Sequence, residues 1–238
     1  LCGTLYPGAG LAMIKGIVFD LDDTLYFERD YVKSGFHCIA KHLETVANIP
    51  EAESFSYLWG LFEKGIRGTI FDRCLTFFPV LEKLVSVPEL VELYRNHVPT
   101  IEMTGSAQEV ITCLQHKGYR LGIISDGFLS GQQAKVQALG VEEWFTPIIL
   151  TGIWGKEYWK PHPKSYKMIM DAWGLKPQEL IYIGDNPEKD FLTPNRLGWT
   201  TVRLKTEGQL NYFIKPAALE YASKVTIKDL IHLVDMVS

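Results

Sequence analysis

The stretch IKGIVFDLDDTLY, residues 14–26, decides the fold. Its first half, 14–19, is short, apolar and rich in β-branched residues, and it reads as a buried strand. The strand runs out on Asp20. In an extended chain residues two apart face the same side, so Asp20 and Asp22 can point together past the strand's carboxyl end. That is where open α/β sheets bind their ligands. Two carboxylates this close repel unless a cation or a proton is shared between them. A hard divalent cation with oxygen ligands, Mg²⁺ above all, relieves the repulsion. An acidic turn after a strand is the plainer alternative.

Further apolar runs follow at 119–124, 147–150, 180–183 and 200–204. Helical stretches separate them. Ser106-Ala-Gln-Glu109 has the form of a capping box ahead of Val110, Ile111 and Leu114. Residues 132–139 and 165–173 read as helices stopped by Gly140 and Gly174. Ile227, Leu230, Ile231 and Val234 recur at helical spacing, which predicts a closing helix with Thr226 as its N-cap. Strands alternating with helices predict an α/β fold with a doubly wound parallel sheet. Residues 28–98 break the alternation with helical periodicity and many aromatics. Helices are expected there at 31–46, 52–62 and 88–97. The expected organisation is a core of 13–27 and 99–238 interrupted by a helical cap of 28–98. Residues 1–12 read as an extension before Met13.

Composition narrows the function. The chain has 238 residues, 47% of them apolar and 22% charged, which excludes wholesale disorder. The net charge of −4 comes with no Lys/Arg cluster, so no nucleic-acid partner is expected. No apolar run is long enough to suggest a membrane span. Cys2, Cys38, Cys74 and Cys113 lie far apart without a C-x-x-C pair. That argues against a thiolate zinc site and fits a reducing, cytoplasmic setting. Gly8-Ala-Gly10 precedes the first strand and lacks a third glycine, which disfavours a dinucleotide oxidoreductase.

Three later strand ends carry chemistry of their own. Ser125-Asp126-Gly127 can offer a hydroxyl and backbone N–H donors to a phosphate. Lys160-Pro-His-Pro163 fixes a lysine in a proline-held loop. Gly184-Asp185-Asn-Pro187-Glu-Lys-Asp190 places acids at the fourth strand's end, with Pro187 suited to the first turn of a helix. All four groups converge on one edge of the sheet.

In this order the segments IVFDLDDTLY, LGIISDG, WKPHPKSY and IYIGDNPEKD resemble the four motifs of the haloacid dehalogenase-like (HAD) hydrolase superfamily. The resemblance spans 14 to the carboxyl terminus, and the insertion resembles the cap of many members. It implies a Rossmann-like core and the following roles. Asp20 is the nucleophile that forms an aspartyl-phosphate. Asp22 is the general acid/base. Asp20, the backbone carbonyl of Asp22, and Asp185 are Mg²⁺ ligands, with Asp190 assisting the metal site. Ser125, with Asp126 and Gly127, binds the phosphoryl group, and Lys160 balances its charge. Dehalogenases resemble this fold but lack an acid at the position of Asp22, so the implied activity is phosphomonoester hydrolysis of a small phosphorylated metabolite. A phosphomutase and a non-catalytic phospho-ligand or protein-binding module are the alternatives. Arg67, Arg73, His37 and His97 are the cap side chains that could reach a substrate, with a surface or core role the plainer expectation for each. Hinges are expected at 26–30 and 99–104.

Overall fold

The computed structural model describes residues 13–237. The expectation for 1–12 therefore lies outside the described residues, as do Cys2 and Ser238. From the amino end come β1 (Gly16–Phe19) and the helices α1 (Glu28–Ala47), α2 (Glu51–Glu63), α3 (Ile70–Phe77) and α4 (Val87–Asn96). Next are α5 (Gly105–His116), β2 (Arg120–Ser125), α6 (Leu129–Leu139), β3 (Ile148–Leu150) and α7 (Lys164–Trp173). The chain closes with β4 (Leu180–Gly184), α8 (Leu192–Leu197), β5 (Thr200–Leu204), β6 (Val225–Ile227) and α9 (Ile231–Met236).

The strands form one sheet in the order β3-β2-β1-β4-β5-β6, every pair parallel. Side chains alternate across it as the pleat requires. Ile17, Phe19, Ile181 and Ile183 face one side, packed with Ala107, Val110 and Leu114 of α5, Val136 and Leu139 of α6, and Leu233 of α9. Val18 and Tyr182 face the other, with Tyr166 and Ile169 of α7, Phe191 and Trp199. Each such buried apolar side chain contributes roughly 1.5–3 kcal/mol. Strands β2 and β3 build outward from one side of β1, and β4 to β6 from the other. The crevice past the carboxyl ends of β1 and β4 is therefore the topological switch point, where such folds place ligands.

The helices α1 to α4 have a core of their own, built on Phe36, Ile39, Leu43, Leu58, Phe62, Cys74, Leu81 and Leu90. Ser86 caps α4 with a reciprocal box: its Oγ accepts from Glu89 N, and the Glu89 carboxylate accepts from Ser86 N. Tyr94 packs against both this cluster and the sheet core.

Three local expectations are corrected, and one helix is added. Thr226 is no N-cap: it lies within β6, paired to Arg203 of β5. Ile227 is buried by the sheet and Leu233 by α9, so two short periods placed end to end imitate one helical period. The N-cap of α5 is Thr104, whose Oγ1 accepts from Ala107 N, so the helix starts before Ser106. Helix α3 adds to the three helices expected in the insertion. Pro187 starts a turn rather than a helix, closed by Asp190 N donating to Asn186 O at 3.0 Å.

Candidate active site

Asp20 directly follows β1, and its N–H donates to Ile183 O at 2.8 Å, which holds it beside β4. Its Oδ1 accepts from Leu21 N at 2.8 Å and pairs with Lys160 Nζ at 2.8 Å. Its Oδ2 is buried without a hydrogen-bond partner. The Lys160 ammonium is fully buried, pairs also with Asp190 Oδ1 at 2.8 Å, and donates to the Tyr182 hydroxyl at 2.9 Å. Asp190 Oδ2 accepts from Asn186 N at 2.8 Å. Gly184 lets Asp190 come this close, since a Cβ there would lie 2.4 Å from Asp190 Oδ2. Asp185, at the end of β4, accepts from the Asn211 amide at 2.9 Å.

Ser125 is fully buried, and its Oγ accepts from Gln132 Nε2. The Asp126 carboxylate accepts from Lys160 N at 3.1 Å and from Thr151 Oγ1 at 2.7 Å. It thus fixes the lysine loop, and what it can offer an anion is backbone N–H. Gly127 has φ 150°, and a Cβ there would lie 2.9 Å from the Gln132 side chain.

Ligand atoms of Asp20, Asp185 and Asp190 all lie within 4.8 Å of one another. Burial, with Asp190 and Asp20 alongside, drives the Asp185 carboxyl well above its ordinary range. Burial likewise raises Asp20, against the pull of Lys160. Burial opposes the charged form of Lys160, yet Asp190 and Asp20 hold its ammonium protonated. Lys189 Nζ, 4.0 Å from Asp20 Oδ2, follows the same pattern: burial and Lys160 oppose it, but Asp20, Asp190 and Asp126 push it up to about 12. Three carboxylates thus stand near two ammonium groups, and one buried carboxylate oxygen, Asp20 Oδ2, accepts no hydrogen bond. Such a set fits a hard divalent cation between Asp20 and Asp185. Both Asp190 oxygens already serve Lys160 and Asn186.

The Asp22 carboxylate is not among the clustered carboxylates of Asp20, Asp185 and Asp190, and the role expected of Asp22 at the metal is that of its backbone carbonyl. Oδ1 accepts from the Tyr26 hydroxyl and pairs with Lys135 Nζ at 2.7 Å, while Oδ2 accepts from Gln132 Nε2 at 3.1 Å. Burial would raise its carboxyl, but Lys135 and the bonds from Lys135, Tyr26 and Gln132 hold it below its ordinary range. The next residue, Asp23, has φ 52°, a conformation Asp tolerates better than most. Its carboxylate accepts from Glu28 N at 2.8 Å and Leu210 N at 2.7 Å, which ties the first motif to α1 and to the loop after β5.

Asp20, Asp22, Asp126, Gly127, Lys160 and Asp185 line one cavity of about 470 Å³, together with Glu28, Tyr31, Tyr94 and Arg95 of α1 and α4. Ser125 and Asp190 stand behind its wall. Gln132, Lys135, Lys189 and Asn211 line it too, unforeseen from sequence. Gln132 and Lys135 sit three apart on one face of α6, which reads as an ordinary polar face, and Asn211 carries no motif. Arg67, Arg73, His37 and His97 do not line this cavity, as the plainer expectation had it. Arg67 lies over the Phe62 ring at 3.8 Å, and His37 and His97 line a separate cavity. Arg73 is exposed. Among the described residues no helix is long and apolar enough to cross a membrane.

Known proteins resemble the chain in sequence and in fold. The model of the haloacid dehalogenase-like hydrolases matches residues 17–204. A glyceraldehyde 3-phosphate phosphatase of Methanocaldococcus jannaschii is 30% identical over 94% of this chain and 97% of its own. A phosphoserine phosphatase of Thermus thermophilus is 26% identical over 48% of this chain and 47% of its own. Among solved structures, the HAD-hydrolase YfnB of Bacillus subtilis, bound to magnesium, superposes with a TM-score of 0.65 at 19% identity. That match covers 94% of this chain and 99% of the other.

Proposed function

The chain belongs to the haloacid dehalogenase-like hydrolases, and on that premise we propose that it is a Mg²⁺-dependent phosphatase of small phosphorylated metabolites, working through a phosphorylated Asp20. The observation that carries this reading is that Asp20, whose buried Oδ2 accepts no hydrogen bond, and Asp22 line the same cavity. Oδ2 attacks phosphorus as the bond to the leaving oxygen breaks. Lys135, Tyr26 and Gln132 favour an ionised Asp22 in the free protein. The anionic phosphoryl group arriving beside it disfavours that charge, so Asp22 takes up a proton with the substrate and gives it to the leaving oxygen. Asp22 then takes a proton from the water that attacks the aspartyl-phosphate, releasing phosphate and restoring Asp20. Lys160 holds Asp20 in place and offsets its charge. Backbone N–H groups of 126–127, with Ser125 supporting that turn, are suited to the phosphoryl oxygens. Asp20 and Asp185 would hold Mg²⁺, which would supply charge neutralisation for the transferring group.

The leaving group would occupy the part of the cavity under Glu28, Tyr31, Tyr94 and Arg95, so residues 28–98 act as a lid that sets substrate choice and excludes water. The polar tips there suit a small hydroxylated leaving group. With its relatives' names, this points to three-carbon phosphates as first substrates to try. The test is a panel of glyceraldehyde 3-phosphate, phosphoserine, sugar phosphates and nucleotides. Turnover should disappear in chelator and return with Mg²⁺. A full rate after chelation and dialysis would refute the metal-assisted reading.

A further inference from the structure

Lys135 stands one helical turn after Gln132 on α6, and both side chains end on Asp22. Lys135 is 5% exposed. Among the described residues its one ion-pair partner is Asp22, at 2.7 Å. The Tyr31 ring of α1 covers its ammonium, 4.2 Å from the ring centroid. Gln132 donates to the other Asp22 oxygen at 3.1 Å, and the Tyr26 hydroxyl is a third donor, to Oδ1. Burying an ammonium is costly, and an apolar side chain of similar volume would often serve stability as well or better. Val136 and Leu139 already pack α6 on the sheet. Packing therefore does not account for a lysine at 135, whereas the group it holds does.

We infer that Lys135, seconded by Gln132, is a positioning residue for the proton-transfer step: it holds the Asp22 carboxyl towards the leaving-group side of the cavity. The inference rests on the phosphatase reading above. In that step Asp20 Oδ2 bonds to phosphorus, the bond from phosphorus to the leaving oxygen breaks, and the Asp22 proton goes to that oxygen. A proton donor at the end of a short loop works only within hydrogen-bond reach, and displacement of about 1 Å can cost about a hundredfold. Lys135 and Gln132 come from a helix packed on the sheet, so they set the direction of Asp22 on a rigid support. Tyr31 places a lid residue directly over the same contact.

The experiment compares kcat/KM for an alkyl phosphate, whose alkoxide leaves poorly without a proton, with that for 4-nitrophenyl phosphate, whose phenolate leaves without one. Lys135→Met should lower the alkyl value by about thirtyfold or more and the nitrophenyl value by less than about threefold, on the scale of general-acid effects. Asp22→Asn should show the same dependence on leaving group. In the Asp22→Asn background, Lys135→Met should cost less than about threefold on either ester, because coupled residues are not additive. Should Lys135→Met fail to fold, Lys135→Gln is measured in its place, with the same leaving-group contrast expected. Equal losses on both esters, or full loss added on top of Asp22→Asn, would overturn the inference and leave the phosphatase reading standing. No turnover of either ester by the wild type would overturn the phosphatase reading, and the inference with it.

Discussion

Purified Asp20→Asn is expected to fold normally and to lose at least about a thousandfold in kcat. An amide does not attack phosphorus as a carboxylate does and is a weaker ligand for a hard cation. Folding should survive because Asp20 is 1% exposed and crowded by Asp185 and Asp190, so a neutral side chain relieves a buried charge. Lys160 keeps its pairing with Asp190. Thermal melting and steady-state rates on one preparation check both halves. Retention of kcat within tenfold of wild type would remove Asp20 from the chemistry.

Lys160→Met should damage both stability and rate. The ammonium is fully buried between Asp20 and Asp190, 2.8 Å from each. Removing one partner from a buried ion pair typically costs about 3–5 kcal/mol, because the other charge is left uncompensated. For a chain of this size that lowers Tm by roughly 6–20 °C. Because a divalent cation supplies opposing charge and binds the folded state, Mg²⁺ should restore part of the loss. Turnover should fall by roughly a hundredfold or more, since a fixed positive charge at the reacting group is lost. An unchanged Tm together with near-normal kcat would show that Lys160 is neither a structural nor a catalytic counter-ion.

The central strands were legible because each is a short apolar run ending in a polar motif, and burial on both faces leaves no polar alternation to confuse the reading. Those motifs gave Asp20, Lys160, Asp185 and Asp190, which the sheet brings to one edge. Strand β6 was hidden because Val225-Thr-Ile227 is too short for a period of two to register before the spacing of α9 takes over. The partners of Asp22 were hidden for a different reason. Gln132 and Lys135 lie 110 and 113 residues away in sequence, and only the packing of α6 beside the β1 loop brings them to it. Asn211 reaches Asp185 from a loop with no regular period. The residues of α1 and α4 that line the cavity, Glu28, Tyr31, Tyr94 and Arg95, are not among Arg67, Arg73, His37 and His97, the cap side chains named from the sequence. Which face of α1 and α4 turns towards the core depends on how the insertion seats, and local periodicity does not encode that.

The covalent role of Asp20 is tested most directly by acid-quenching the enzyme during turnover of a ³²P-labelled phosphate ester and mapping the label by peptide mass spectrometry. The account predicts acid-stable, hydroxylamine-labile label on the peptide containing Asp20, in wild type and not in Asp20→Asn. Steady turnover with no protein-bound label, or label on another residue, would contradict it.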